Sequence, residues 1–254
     1  MELQEAIRLA EQGNVNMMYA LGKYYSEKEE DQLQETGWMW YERAADAGHI
    51  DALPIVCQYY EQMARTSETF YGYTTALDYW RKAAHYANIY EQAGCAVMQQ
   101  ASIDPTNLIE LASGIRYQFA LCCFMADDYS DILQLYSHPE TVEEKILYGV
   151  SLTQAIADNS WDERQVFQLL SCVSDISYSR KEKGTKEECV YTSAALTFSN
   201  LLRHGLGAPI NLDAAYNVLS ATLCSLKDSD CIEILKTELS HYQKKLFGGY
   251  KYID

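Results

Sequence analysis

The chain has 254 residues, of which 48% are hydrophobic and 22% charged, with only 4 Pro and 13 Gly. That composition excludes a disordered polymer and leaves enough chain to bury a continuous core. Its 36 acids against 20 bases give a net charge of −16, a field that repels phosphate backbones and disfavours nucleic acid as a partner.

Residues 1–13 alternate charged and apolar side chains at helical spacing and lack the apolar h-region of a secretory leader. No apolar run approaches the ~18–20 residues that a membrane span needs. A cytoplasmic location without membrane contact is therefore expected. The eight cysteines, at 57, 95, 122, 123, 172, 189, 224 and 231, form no C-x-x-C pair, and buried free thiols are the expected state.

Two blocks then align with each other. The first carries Met17-Met18-Tyr19-Ala20-Leu21-Gly22-Lys23-Tyr24-Tyr25 and, after a polar stretch, Trp40-Tyr41-Glu42-Arg43-Ala44-Ala45. The second carries Ala52-Leu53-Pro54-Ile55-Val56-Cys57-Gln58-Tyr59-Tyr60 and then Tyr79-Trp80-Arg81-Lys82-Ala83-Ala84. The Tyr-Tyr pairs are offset by 35 residues and the Ala-Ala pairs by 39, which reads as a link grown by four residues in a surface loop. Apolar residues at 17, 21, 24 and 25, and at 38, 41, 44 and 45, make one stripe per helix. Gly22, Ala44, Ala45 and Ala52 fall inside these stripes and let helix backbones approach closely. Pro54 is tolerable only within the first turn of its helix.

The spacing Leu21-Gly22-x-x-Tyr25 and Trp40-Tyr41-x-Arg43-Ala44-Ala45-x-x-Gly48-x-x-x-Ala52 resembles the Sel-one-like branch of the tetratricopeptide superfamily. The pattern returns as Ala194, Phe198 and Leu202, then Gly205-Leu206-Gly207-Ala208-Pro209-Ile210-Asn211 and Ala214-Ala215. The chain departs from the pattern at residues 26–34, which contain no glycine, and at Cys57, where glycine is usual. The resemblance implies an all-α, right-handed superhelix of stacked antiparallel helix pairs. It also implies that first helices line a concave face, with Met18, Tyr24, Gln58 and Tyr59 as candidate partner-binding residues. One continuous solenoid is expected: N-terminal repeats over 1–101, diverged helical pairs over 102–183, and a C-terminal repeat with a terminal helix and tail over 184–254.

The middle is helical by period. Asp104-Pro105 opens a helix to about Met125, and Asp128 to Tyr136 forms a short one. Thr141 caps a helix to about Asp158, with Glu144 completing a capping box. Another helix is read over 161–180, followed by a charged loop over 180–186. Ser229 or Asp230 caps a last helix through about Leu246, and residues 247–253 follow as a non-helical tail.

Catalytic motifs are absent. There is no G-x-x-x-x-G-K-[ST], and Gly205-Leu206-Gly207 reads as a helix–helix turn. His49, His85, His138, His204 and His241 make no close ligand spacing, and the acidic clusters lack the pattern of a calcium loop. No enzyme activity, cofactor or metal is expected. Twenty-one tyrosines supply the side chains that dominate interfaces and inter-repeat packing alike. The reading is an adaptor that holds a protein or peptide partner, basic or neutral in charge. The alternatives are a regulatory or inhibitory subunit of an enzyme or signalling complex, and an enzyme with a site assembled in the middle segment.

Overall fold

The computed structural model describes residues 2–100, 106–156, 161–173, 184–246 and 248–253. Among them are twelve α-helices and one two-stranded hairpin, so the all-α class holds. The helices divide into two units, Met1–Phe119 and Ala120–Asp254.

The first unit contains α1 (Leu3–Glu11), α2 (Val15–Ser26), α3 (Asp31–Asp46), α4 (Ala52–Phe70), α5 (Tyr73–Gln100) and most of α6 (Thr106–Met125). The turn into α2 uses Gly13 at φ 94°, and the Asn14 side chain accepts the Met17 N–H at 3.1 Å, which caps the helix. Helices α2 and α3 then pair as a hairpin, as do α4 and α5.

Close packing within these pairs depends on small residues. A Cβ on Gly22 would lie 2.7 Å from the Tyr41 ring, and one on Gly37 would lie 2.6 Å from the Ser26 backbone nitrogen. Ala44, Ala45, Ala83 and Ala84 are all buried. In the second pair Cys57 occupies the place of Gly22, and its thiol points at the Ala83 carbonyl across the α4–α5 contact, 3.8 Å away. Pro54 falls in the first turn of α4, where its missing N–H costs no helical bond.

The four extra residues of the second block do not enlarge the loop. Only Tyr71 and Gly72 separate α4 from α5, whereas residues 27–30 separate α2 from α3. The helices lengthen instead: α4 has 19 residues against 12 for α2. Seven more residues are about two helical turns, so the buried face stays in phase.

Helix α6 corrects the hydropathy reading. Its 20 residues, with a mean hydropathy of 1.2, are long and apolar enough by length and composition to cross a membrane. Within the first unit it buries one face, while Ile109 and Leu111 stay exposed. Leu108, Ala112, Ile115 and Phe119 are buried along one face, and Arg116 is ion-paired with Glu91 of α5.

The second unit continues from the end of α6 through α7 (Tyr129–Leu135), α8 (Val142–Ala155), α9 (Glu163–Leu170), α10 (Thr185–His204), α11 (Leu212–Leu223) and α12 (Ser229–Ser240). The expected capping box is present at α8: Thr141 accepts the Glu144 N–H while Glu144 accepts that of Thr141. Gly205 ends α10 in the left-handed region at φ 72°, and Asn211 caps α11 through the Ala214 N–H. Gly207 has a second reason to lack a side chain, since a Cβ there would lie 2.5 Å from the Glu163 carbonyl oxygen. Of the loop read over 180–186, Thr185 and Lys186 already belong to α10. Residues 180–183, the 174–180 part of the helix read over 161–180, and the Asp104-Pro105 start of α6 lie outside the described residues.

The last helix stops at Ser240 rather than near Leu246, and it is Asp228 that caps it. Strand β1 (Tyr242–Lys244) pairs antiparallel with β2 (Tyr250–Tyr252). Tertiary contacts override the helical pattern here. Tyr242 is buried with its hydroxyl 2.9 Å from Ser199, Tyr250 stacks on Tyr216 at 3.9 Å, and the Arg203 guanidinium lies 3.9 Å over the Tyr252 ring. A helix through Leu246 would withdraw these rings from α10 and α11.

Candidate protein-binding groove

In the first unit α3, α4 and α5 enclose a groove of about 320 Å³. Residues 35, 38, 39 and 42 of α3 share one helical face (i, i+3, i+4, i+7) and bring Glu35, Trp38, Met39 and Glu42 to it. Helix α4 adds Val56, Tyr59 and Tyr60, and α5 adds Tyr79 and Lys82. The aromatic wall is continuous. Trp38 stacks on Tyr59 at 4.4 Å, Tyr59 meets Tyr60 edge-on at 5.3 Å, and Tyr60 lies 6.5 Å from Tyr79. Met39 stands at the rim, 64% exposed.

The groove floor is a polar knot. Glu42 Oε1 accepts from the Tyr60 hydroxyl at 2.6 Å and from Lys82 Nζ at 3.0 Å, and Lys82 also donates to the Tyr60 oxygen at 2.8 Å. Tyr86 donates to Asp46 at 2.8 Å. Partial burial pushes the Glu42 carboxyl up, but the bonds from Tyr60 and Lys82 outweigh it, and its pKa lies below the ordinary carboxylate value. Burial, reinforced by the bond to Glu42, pushes the Tyr60 phenol up to about 12. The bond with Tyr60 is the main reason the Lys82 ammonium is held above its usual range. These groups orient one another and leave the Glu35 carboxylate at the edge as the acceptor for an incoming donor.

A pH dependence follows from the tyrosines. Burial pushes the Tyr60 phenol up to about 12 in the folded chain, against about 10 when unfolded. A raised folded pKa gives stability that is complete below pH ~10 and is lost as pH climbs from ~10 to ~12. Phenolate absorbance should therefore rise in two phases: exposed rings first with the helical signal intact, then buried rings together with loss of helix. A single phase near pH ~10 with full helicity would contradict the burial of these rings.

Of the four residues singled out in the sequence, only Tyr59 lines the groove. Met18 is in the core at 7% exposure and does not line the groove, because it lies on the buried side of α2 with Leu21 and Gly22. Tyr24 is 43% exposed and carries the Lys28 ammonium 4.1 Å over its ring. Gln58 is exposed but lies one position off the groove-facing edge of α4. The sequence reading missed Glu35, Trp38, Met39, Glu42, Tyr79 and Lys82. For Glu35, Trp38, Met39 and Glu42 the signal was the four-residue face of α3, masked because Trp38 also fits the packing stripe; Tyr79 and Lys82, on α5, carried none.

In the second unit Phe198, Leu202 and Val218 line a further groove of about 360 Å³ between α10 and α11, and no charged side chain lines it. Among the described residues no three His, Cys, Asp or Glu side chains are grouped to hold a metal ion.

The fold and this groove define a protein of paired α-helices with an aromatic, acid-edged concavity. No family model matches the chain, and no curated protein matches it. Among solved structures, a Sel1 repeat protein from Oxalobacter formigenes is similar at 13% identity and a TM-score of 0.31, over 92% of this chain and 90% of its own. At that score the two backbones diverge widely, and the architecture given above rests on the helix pairs themselves.

Proposed function

We propose that this chain is a binding module, not an enzyme, and that it holds a segment of a protein partner in the α3–α4–α5 groove. The observation that carries this reading is the wall of Trp38, Tyr59 and Tyr79, backed by the buried Tyr60 and edged by the Glu35 carboxylate. Rigid aromatic rings give large contact area at low entropic cost, which is why they anchor interfaces. The aromatic wall suits an apolar or planar anchor on the partner. With a net charge of −16, a basic segment should associate faster than an acidic one, and added salt should shrink that advantage. Cytoplasmic residence and the Sel-one-like resemblance belong to the same reading. Both are consistent with a groove that recognises an intracellular protein.

The test begins with a partner isolated on the immobilised chain from its native cells. Trp38→Ala combined with Tyr59→Ala should weaken its binding at least tenfold, about 1.4 kcal/mol, with helicity and melting midpoint near wild type. If that pair leaves binding intact and removal of residues 247–253 abolishes it, the tail is the interaction element and the groove reading fails.

A further inference from the structure

Two thiols far apart in sequence meet in the second unit. Cys189 lies in the second turn of α10 and Cys231 in the first turn of α12, with their sulfurs 3.8 Å apart. The cysteines are free. A bond length of about 2.05 Å requires the sulfurs to approach by about 1.8 Å.

The surroundings hold the pair in register without help from the sulfurs. Glu188, beside Cys189, is itself buried. Its Oε2 accepts the backbone N–H groups of Lys227 at 2.9 Å and Asp228 at 2.7 Å, which ties the start of α10 to the turn before α12. Asp228 in turn caps α12 by accepting the N–H groups of Asp230 and Cys231. The two helix starts are thus joined by a buried carboxylate and a cap. The thiols face each other as a consequence.

We propose that Cys189 and Cys231 are a dithiol–disulfide site that closes by exchange with an oxidised low-molecular-weight thiol such as glutathione disulfide, crosslinking α10 to α12. Cys189 is the more accessible of the two, and Cys231 is buried. The Cys189 thiolate attacks one sulfur of glutathione disulfide and expels a glutathione thiolate, which takes up the proton. The Cys231 thiolate then attacks Cys189 Sγ and expels the second glutathione. Two electrons and two thiol protons pass to the oxidant, giving two glutathione molecules and one protein disulfide. Burial pushes both thiols up, with Cys231 reaching about 12, and Glu188, Asp228 and Asp230 add negative charge beside Cys189. Thiolate is scarce at neutral pH as a result, and the pair closes slowly, responding to sustained rather than brief oxidation.

The experiment uses the full chain, reduced and then incubated with excess glutathione disulfide, alkylated without reduction and digested with trypsin. The expected product links the peptides spanning residues 187–203 and 228–236, and dithiothreitol reopens it. Cys224, which is exposed, takes up glutathione and shows that the oxidant is active. In Cys231→Ser, Cys189 should instead accumulate a stable glutathione mixed disulfide. In Cys189→Ser, Cys231 should remain a free thiol, alkylated only after unfolding. The proposal is overturned if Cys224 is modified while both thiols of the wild-type chain stay free, if each carries its own glutathione, or if either pairs with a different cysteine.

Discussion

Trp80→Ala should lower the stability of the first unit by about 3–5 kcal/mol, the cost of emptying a fully buried indole site. Trp80 has no exposed surface. It lies in the first half of α5, against α4, where its Nε1 donates to Glu68 at 2.7 Å and the Arg65 guanidinium lies 5.4 Å over its ring. Alanine removes the ring volume and also strips a donor from a carboxylate shaped around it, so the cavity and polar terms have the same sign. Trp80→Phe keeps most of the volume and should cost much less. Urea unfolding followed by far-ultraviolet ellipticity would give both values. A loss below about 1 kcal/mol for Trp80→Ala would mean that α4 and α5 do not pack through this ring.

The second large effect runs against helix propensity. Glycine to alanine inside a helix ordinarily gains about 1 kcal/mol. At Gly37 the added Cβ would lie 2.6 Å from the Ser26 nitrogen and 3.0 Å from the Gly22 carbonyl oxygen. Both are backbone atoms and cannot rotate away, so α2 and α3 must separate. Overpacking of this kind costs about 1–3 kcal/mol net, and Gly37→Ala should destabilise. Gly114 in α6 is the internal control, because a Cβ there meets nothing within 4 Å. Gly114→Ala should be neutral or stabilising by up to about 1 kcal/mol. Melting midpoints that move in the same direction for both substitutions would contradict the close α2–α3 approach.

What could be read from the sequence was set by short-range rules. The capping box at Thr141 and Glu144, the turn over 205–211 and the small-residue stripes around Gly22 and Ala44 each lie within one or two helical turns. Each appears in the structure as read. Three features depend on longer range and were read differently. The second repeat absorbed its extra residues as helix, which carries α4 past Tyr60 to Phe70. The end of α12 was decided by rings that bury on α10 and α11, not by the periodicity of its own residues. Gly37 was passed over because its reason for being glycine, the backbone of α2, lies on another helix.

The groove was legible only in part, for the same reason. Tyr59 carried a visible signal through the repeated Tyr-Tyr pair. Trp38, Tyr79 and Lys82 come from two other helices, and nothing local marks them as neighbours of Tyr59. Tyr24 and Tyr59 occupy the same place in the two repeats, 35 residues apart. Seven extra residues in α4 and a glycine-to-cysteine exchange nevertheless give the two pairs different surfaces.

The most direct measurement is site-specific photocrosslinking in the native cells. A photoreactive residue would replace Met39 at the groove rim, with the same residue at Val97 of α5, which is 49% exposed and does not line the groove, as reference. The expected result is a discrete crosslinked partner from position 39, absent from position 97 and lost when Trp38→Ala and Tyr59→Ala are added. The same partner crosslinked at position 97 but not at position 39, or crosslinking at 39 that persists without the two rings, would show that the groove does not hold the partner.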